Sequence, residues 1–190
     1  MSSTFERTSA DERYKGRIFS VWHETFRYAD GAEETREIVR HIGAVGIVAH
    51  DDEVVWLVRQ PREATGLPDL LEIPAGKLDE AGEEPLQTAQ RELAEEIGKA
   101  ADHWQPMHEF FTSPGFSDER FYLFEATGLR DHRLQAESDE RIEIVRWPLD
   151  RLDEAIAACH DSKSLIGLLS LAQRLGRRGP SGRCRRGKPA

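Results

Sequence analysis

The stretch GKLDEAGEEPLQTAQRELAEEIG, Gly76 to Gly98, decides how this chain is read. It crowds Asp79, Glu80, Glu83, Glu84, Glu92, Glu95 and Glu96 into one short segment. Pro85 suits the first turn of a helix, where a missing N–H costs nothing. Gly98 suits its stop. Leu86, Ala89, Leu93 and Ile97 recur at helical spacing and predict one apolar stripe. Glu92 and Glu96 are four apart and share a face, with Glu95 beside them. Like charges at this spacing repel, so something positive should offset them. Hard oxygen donors on the border between core and solvent suit Mg²⁺ or Mn²⁺. Arg91 precedes Glu92, and its planar fork can hold a carboxylate in place. The plain alternative is a solvated acidic face.

Working outward, GAVGIVAH (43–50) is nearly all apolar, as a strand buried on both faces should be. Asp51-Asp52 turns the chain, and VVWLVRQ (54–60) returns it. PREATGLPDL reads as a loop and LLEIPAG (70–76) as a short strand ending at Pro and Gly. Further strands are expected around 104–111, 119–126 and 142–147, then helices over about 150–159 and 162–175. On the N-terminal side, RIFSVWHETFRY (17–28) and about Thr35 to His41 form a hairpin through Asp30-Gly31. Residues 1–16 are polar and read as a flexible N-terminus. Residues 176–190 read as a disordered basic tail. Mixed strands around one central helix, with helices at the end, point to an α+β or α/β sandwich.

Composition narrows the function. The 190 residues suffice for one domain with a proper core. The net charge of -9 is unevenly placed, because from Arg174 onward there are basic residues and no acids. The acidic body argues against broad nucleic-acid binding by the folded domain. No stretch is long and apolar enough for a membrane span. The N-terminus lacks a signal-like apolar region. The two cysteines, Cys159 and Cys184, do not suggest a disulfide framework. A cytoplasmic location is therefore expected. The histidines are scattered, without metal-ligand spacing.

The opening stretch resembles the Nudix box, G-x5-E-x7-R-E-U-x-E-E-x-G-U with U apolar, through Gly76, Glu83, Arg91, Glu92, Leu93, Glu95, Glu96 and Gly98. Two positions depart from the pattern. One extra residue lies between Gly76 and Glu83, in a loop where insertion is tolerated. Lys99 replaces the last apolar residue. The flanks RQPR…LLEIPAGKLD (59–79), TSPGFSDE (112–119) and REIVRHIGAV (36–45) are similar to ADP-ribose pyrophosphatases and nucleotide-sugar relatives. The resemblance implies an α/β/α sandwich with a mixed sheet over 42–175. It implies a small N-terminal antiparallel β layer over 17–41 that serves a homodimer.

It also implies residue roles. Glu92 and Glu96 would be the main Mg²⁺ ligands, with the backbone carbonyl of Ala75 a third. Glu95 would ligate or orient a second ion. Glu83 and Gly76 would support the site. Arg62 would reach the substrate phosphate, Glu72 a ribose hydroxyl, and Arg36 the nucleotide across a dimer. Gly115 and Phe116 belong to a loop over the substrate. Trp22 is open between stacking on the base and packing a dimer. The general base would come from LQAESDERIEIV (134–145), where Glu140 fits best and Glu137 and Asp139 are alternatives. The expected reaction is Mg²⁺-dependent hydrolysis of ADP-ribose to AMP and ribose 5-phosphate. GDP-mannose or another nucleotide sugar is the alternative substrate. A non-catalytic ADP-ribose sensor is a third reading.

Overall fold

The computed structural model describes residues 4–132 and 141–176. Three strands build an N-terminal antiparallel sheet in the order β1-β2-β3: β1 (Phe5–Lys15), β2 (Phe19–Tyr28) and β3 (Glu33–His41). The larger sheet has the path β10-β5-β4-β9-β8: β4 (Ala44–His50), β5 (Val54–Arg62), β8 (Lys99–Phe111), β9 (Arg120–Asp131) and β10 (Glu143–Pro148). Two short strands complete it, β6 (Leu67–Glu72) on β5 and β7 (Ala75–Lys77) on β4. The sheet is mixed, because β4 and β9 run parallel while the other pairs are antiparallel.

Helix α1 (Pro85–Ile97) covers one face of this sheet. Its Ala89, Leu93 and Ile97 pack with Val45, Ile47, Val58 and Phe124. Helices α2 (Leu152–Ala158) and α3 (Ser162–Arg174) cover the other face, where Leu152, Leu168 and Leu171 pack with Val48, Leu57, Ile73 and Phe121. β4 feeds both cores by alternation, which is why its sequence is apolar throughout. The result is the expected α/β/α sandwich with an N-terminal β layer.

Local chemistry sets the ends of α1. The Gln87 side chain accepts from the Glu84 N–H at 2.9 Å, one half of a capping box. Gly98 takes the left-handed conformation at φ 65 and its N–H closes on the Ala94 carbonyl. One residue of the expected stripe differs. Leu86 remains 37% exposed, and the inward place in that part of the helix goes to Thr88, whose hydroxyl donates to Glu83 at 3.0 Å.

Four other expectations need correction. The N-terminal segment is not loose along its length, because β1 pairs with β2 from Phe5 to Lys15. Its side chains are exposed, so the pairing is by backbone and leaves no burial signal in the sequence. Edge-to-face contact of Phe5 on Phe26 adds to it. PREATGLPDL is not all loop, since β5 runs to Arg62 and β6 starts at Leu67. A register shift between Gln60 and Arg62 accommodates Pro61. β8 begins at Lys99 because β9 supplies partners along its whole length. Its Pro106 is tolerated on an edge strand. The second helical segment begins as a 3-10 turn, Leu149–Arg151, before α2.

Candidate active site

One cleft, about 430 Å³ in volume, lies where β5 ends and β4, β7 and β9 begin. Its acidic wall is the face of α1 with Glu92, Glu95 and Glu96. Helical spacing puts these side chains together, and the burial of Leu93 and Ile97 fixes which way they face. Arg91 is the positive group that the crowding demanded. Its Nη1 donates to Glu92 and to Glu95, both at 2.9 Å, and its Nε faces Glu83 at 3.3 Å. Burial works to lower the Arg91 pKa, but Glu92, Glu95 and Glu83 outweigh it and hold the guanidinium charged.

Gly76 has a steric role. A Cβ built there would stand 1.9 Å from the Glu92 carboxyl carbon. The carboxylate therefore lies on the bare backbone of β7, and only glycine leaves room for it. On the next residue back, the Ala75 N–H donates to Glu96 Oε2 at 2.9 Å. The β7 backbone thus orients two of the three carboxylates.

Arg62 and Glu72 form a second polar unit beside the cleft. Arg62 Nε and Nη2 donate to the two oxygens of Glu72 at 2.6 and 2.7 Å, a bidentate pair. Glu72 is only 2% exposed. This hydrogen bond raises the Arg62 pKa against the opposing effect of burial, with Glu96 and Asp161 adding at longer range.

The fold brings Arg62, Ala75, Gly76, Arg91, Glu92, Glu95 and Glu96 onto one cleft. Glu83 joins through Arg91 and Glu72 through Arg62. Arg36 sits on the exposed N-terminal sheet, paired with Glu34 at 3.0 Å. Gly115 and Phe116 are not among the residues lining the cleft, and Phe116 is 53% exposed. Their loop docks on β3 instead, with the Val39 N–H donating to the Phe116 carbonyl at 2.7 Å. It reaches the cleft through Glu119. Trp22 lies on β2, its indole N–H donating to Ser20 at 2.7 Å. Glu137, Asp139 and Glu140 lie outside the described residues. Sequence reasoning missed Gln60, His41, Glu119 and Lys163, which also line the cleft. Gln60, His41 and Glu119 lie in the flanking segments quoted above but carried no assigned role there, and Lys163 comes from a helix far along the chain.

The donor set fits a hard divalent cation. Three carboxylates converge on one cleft, and two of them are oriented by backbone. Among the described residues no group of three or more His, Cys, Asp or Glu side chains is arranged to hold a metal ion as it stands. The Arg91 guanidinium bridges Glu92 and Glu95.

A sandwich of this topology, with a carboxylate helix flanking an arginine-bearing cleft, has the architecture of the Nudix hydrolases. A sequence profile of the NUDIX domain matches residues 39–166, and the chain belongs to this family. It is 43% identical to an ADP-ribose pyrophosphatase of Mycobacterium tuberculosis over 75% of this chain and 70% of that one. It is 38% identical to the ADP-ribose pyrophosphatase of Bacillus subtilis, over 79% and 82%. A methanol dehydrogenase activator of Bacillus methanolicus is 34% identical over 88% and 94%. A crystal structure of an ADP compounds hydrolase superposes with a TM-score of 0.80 at 21% identity, covering 91% of this chain and 95% of that one, a likeness of fold.

Proposed function

We propose that this chain hydrolyses ADP-ribose to AMP and ribose 5-phosphate, using Mg²⁺, with Mn²⁺ as a substitute. One observation carries the reading. The Glu92, Glu95 and Glu96 carboxylates share a cleft with Arg62, in a chain 43% identical to an ADP-ribose pyrophosphatase. Glu92, Glu95 and Glu96 are the side chains that would hold the metal, with the Ala75 backbone carbonyl a further ligand. Bound divalent metal would neutralise diphosphate charge and acidify a water. The chain's own residues do the rest. Gly76 and the Ala75 N–H hold Glu92 and Glu96 in position, and Arg91 restrains Glu92 and Glu95. Arg62, aligned by Glu72 through Nε and Nη2, keeps its Nη1 donors for phosphate oxygens, and the ribose-hydroxyl role of Glu72 requires that pair to open. A loop carboxylate, Glu140 in preference to Glu137 or Asp139, takes the proton from the attacking water. Arg36, Gly115 and Phe116 contact the nucleotide only if a second copy or a loop movement brings them to the cleft.

The enzyme is read as a cytoplasmic homodimer whose N-terminal sheet meets a second copy. The exposed Phe5, Tyr14 and Phe19 support this, and the free, buried Cys159 agrees with a reducing compartment. No helix among the described residues is long and apolar enough to cross a membrane. The folded domain, 42–175, carries the activity.

GDP-mannose is the second substrate to weigh, because a GDP-mannose pyrophosphatase of Yersinia enterocolitica is 36% identical over 60% of this chain. Chromatographic product analysis separates the two. Incubation with Mg²⁺ and ADP-ribose, GDP-mannose, ADP-glucose or NADH should release AMP fastest from ADP-ribose. Faster GMP release from GDP-mannose would move the specificity. Binding of ADP-ribose without hydrolysis of any substrate would make the protein a sensor.

A further inference from the structure

The cleft is lined by acids and by donors from different elements. The face of α1 contributes Glu92, Glu95 and Glu96, and Glu119 adds an acid just before β9. Gln60 and Arg62 at the end of β5 and Lys163 in the first turn of α3 contribute donors. An anionic substrate held against a carboxylate wall needs donors on the opposite side. The two arginines of the cleft are already engaged. Arg91 is tied to Glu83, Glu92 and Glu95, and Arg62 is locked on both oxygens of Glu72.

Lys163 brings a cation to the cleft from the other layer. Its Nζ donates to Asp161 Oδ1 at 2.6 Å. The other Asp161 oxygen caps α3, accepting from the Ser164 N–H at 2.9 Å and the Ser164 hydroxyl at 2.7 Å. An ammonium has three donors, and the salt bridge to Asp161 uses one. The bridge holds the side chain near the cleft without exhausting it. Phe121, on the floor of the cleft, has its ring centroid 6.0 Å from Nζ. Gln60 gives an independent sign. Its side-chain NH₂ nitrogen is buried and has no hydrogen-bond partner among the described residues. A buried donor left unpaired is costly, and such a group beside a cleft is explained when a ligand supplies the acceptor.

We propose that Lys163 is a substrate-contacting residue, its ammonium taking a non-bridging oxygen of the substrate diphosphate, with the Gln60 amide donating to a second oxygen of the same substrate. This rests on the hydrolase reading above. It assigns to α3, outside the carboxylate motif, the task of holding the anion opposite the metal-binding helix. The interaction is a ground-state one, so it belongs in KM.

The test compares wild type with Lys163→Met, Lys163→Arg and Gln60→Leu. Each is measured for ADP-ribose turnover, for thermal midpoint, and for binding of inorganic pyrophosphate with Mg²⁺ by calorimetry. Lys163→Met should raise KM roughly tenfold or more and weaken pyrophosphate binding similarly, as loss of a charge-assisted hydrogen bond does. Its kcat should stay within about threefold of wild type, since a ground-state contact is lost. Lys163→Arg should recover most of both losses. Gln60→Leu should raise KM by a smaller factor. Unchanged KM and unchanged pyrophosphate binding in Lys163→Met would overturn the proposal. So would losses that track a lowered thermal midpoint and are not recovered by arginine, because Lys163 would then only support Asp161. If wild type does not hydrolyse ADP-ribose, the function reading fails, and the pyrophosphate comparison still decides the role of Lys163.

Discussion

Two clusters in this molecule set glutamates against arginines, and they are built for different ends. In the N-terminal sheet, Glu24 is 1% exposed and is gripped by Arg40 at 2.6, 2.7 and 3.1 Å and by Arg7 at 3.3 Å. Arg40 also donates to Asp118 at 3.0 Å, tying the sheet to the loop before β9. There two acids, Glu24 and Asp118, meet two cations, and Glu24 accepts four hydrogen bonds. On α1 the acids outnumber the cation. A single Arg91 faces Glu83, Glu92 and Glu95, and the cluster opens on a cleft. A charge-balanced cluster around one buried acid joins two pieces of structure. An acid-rich, open one leaves room for a further cation.

Breaking the open cluster should cost activity and leave the fold. Glu96→Gln should lower kcat by more than the roughly 10–100-fold typical of groups that only support a metal ligand. Its circular dichroism and thermal midpoint should match wild type. Near-normal turnover would take Glu96 out of the metal site. Gly76→Ala comes next. The added methyl displaces the Glu92 carboxylate, and a shift of about 1 Å at a catalytic group can cost on the order of 100-fold in rate. Normal kinetics in that variant would show that Glu92 has slack that the packing does not suggest.

Breaking the charge-balanced cluster should do the reverse. Glu24→Gln leaves Arg40 without its charged partner. Removing one member of a buried pair costs about 3–5 kcal/mol, but Arg40 is 37% exposed and water can compensate, so about 2 kcal/mol is expected. Urea unfolding should show this loss, with kcat for ADP-ribose little changed. A fall in kcat without a fall in stability would make Glu24 part of the active site. The smallest effect is expected at Asp161. Burial acts to raise its pKa, but Lys163 and Ser164 outweigh that and hold it below the ordinary 3.8. The stability it contributes is present above that value and lost as pH falls through the lower folded pKa. Asp161→Asn keeps the helix cap, so it should cost under about 1 kcal/mol at pH 7. It should also flatten the acid side of the stability curve below the ordinary carboxylate value, as unfolding midpoints across pH would show. An unaltered acid limb would assign that limb to other carboxylates.

Much of the architecture was legible in the chain alone. The apolar run of β4, the period of Ala89, Leu93 and Ile97, and the Pro85 and Gly98 ends of α1 are local signals, and local physics produces them. Grouping of Glu92, Glu95 and Glu96 follows from helix geometry wherever that helix sits. β1 escaped because a strand whose side chains stay exposed leaves no hydrophobic pattern. The bulge that carries β5 through Pro61 depends on what β6 offers opposite it.

The sequence by itself determined the sandwich, the carboxylate helix and the diphosphate chemistry it implies, because each is written in residues a few positions apart. Tertiary structure alone decided what surrounds that helix. It laid Glu92 on Gly76, locked Arg62 on Glu72, and brought Lys163 across from the opposite layer to the same cleft. Those contacts join residues distant along the chain, and only the packing of two layers on one sheet sets their distances.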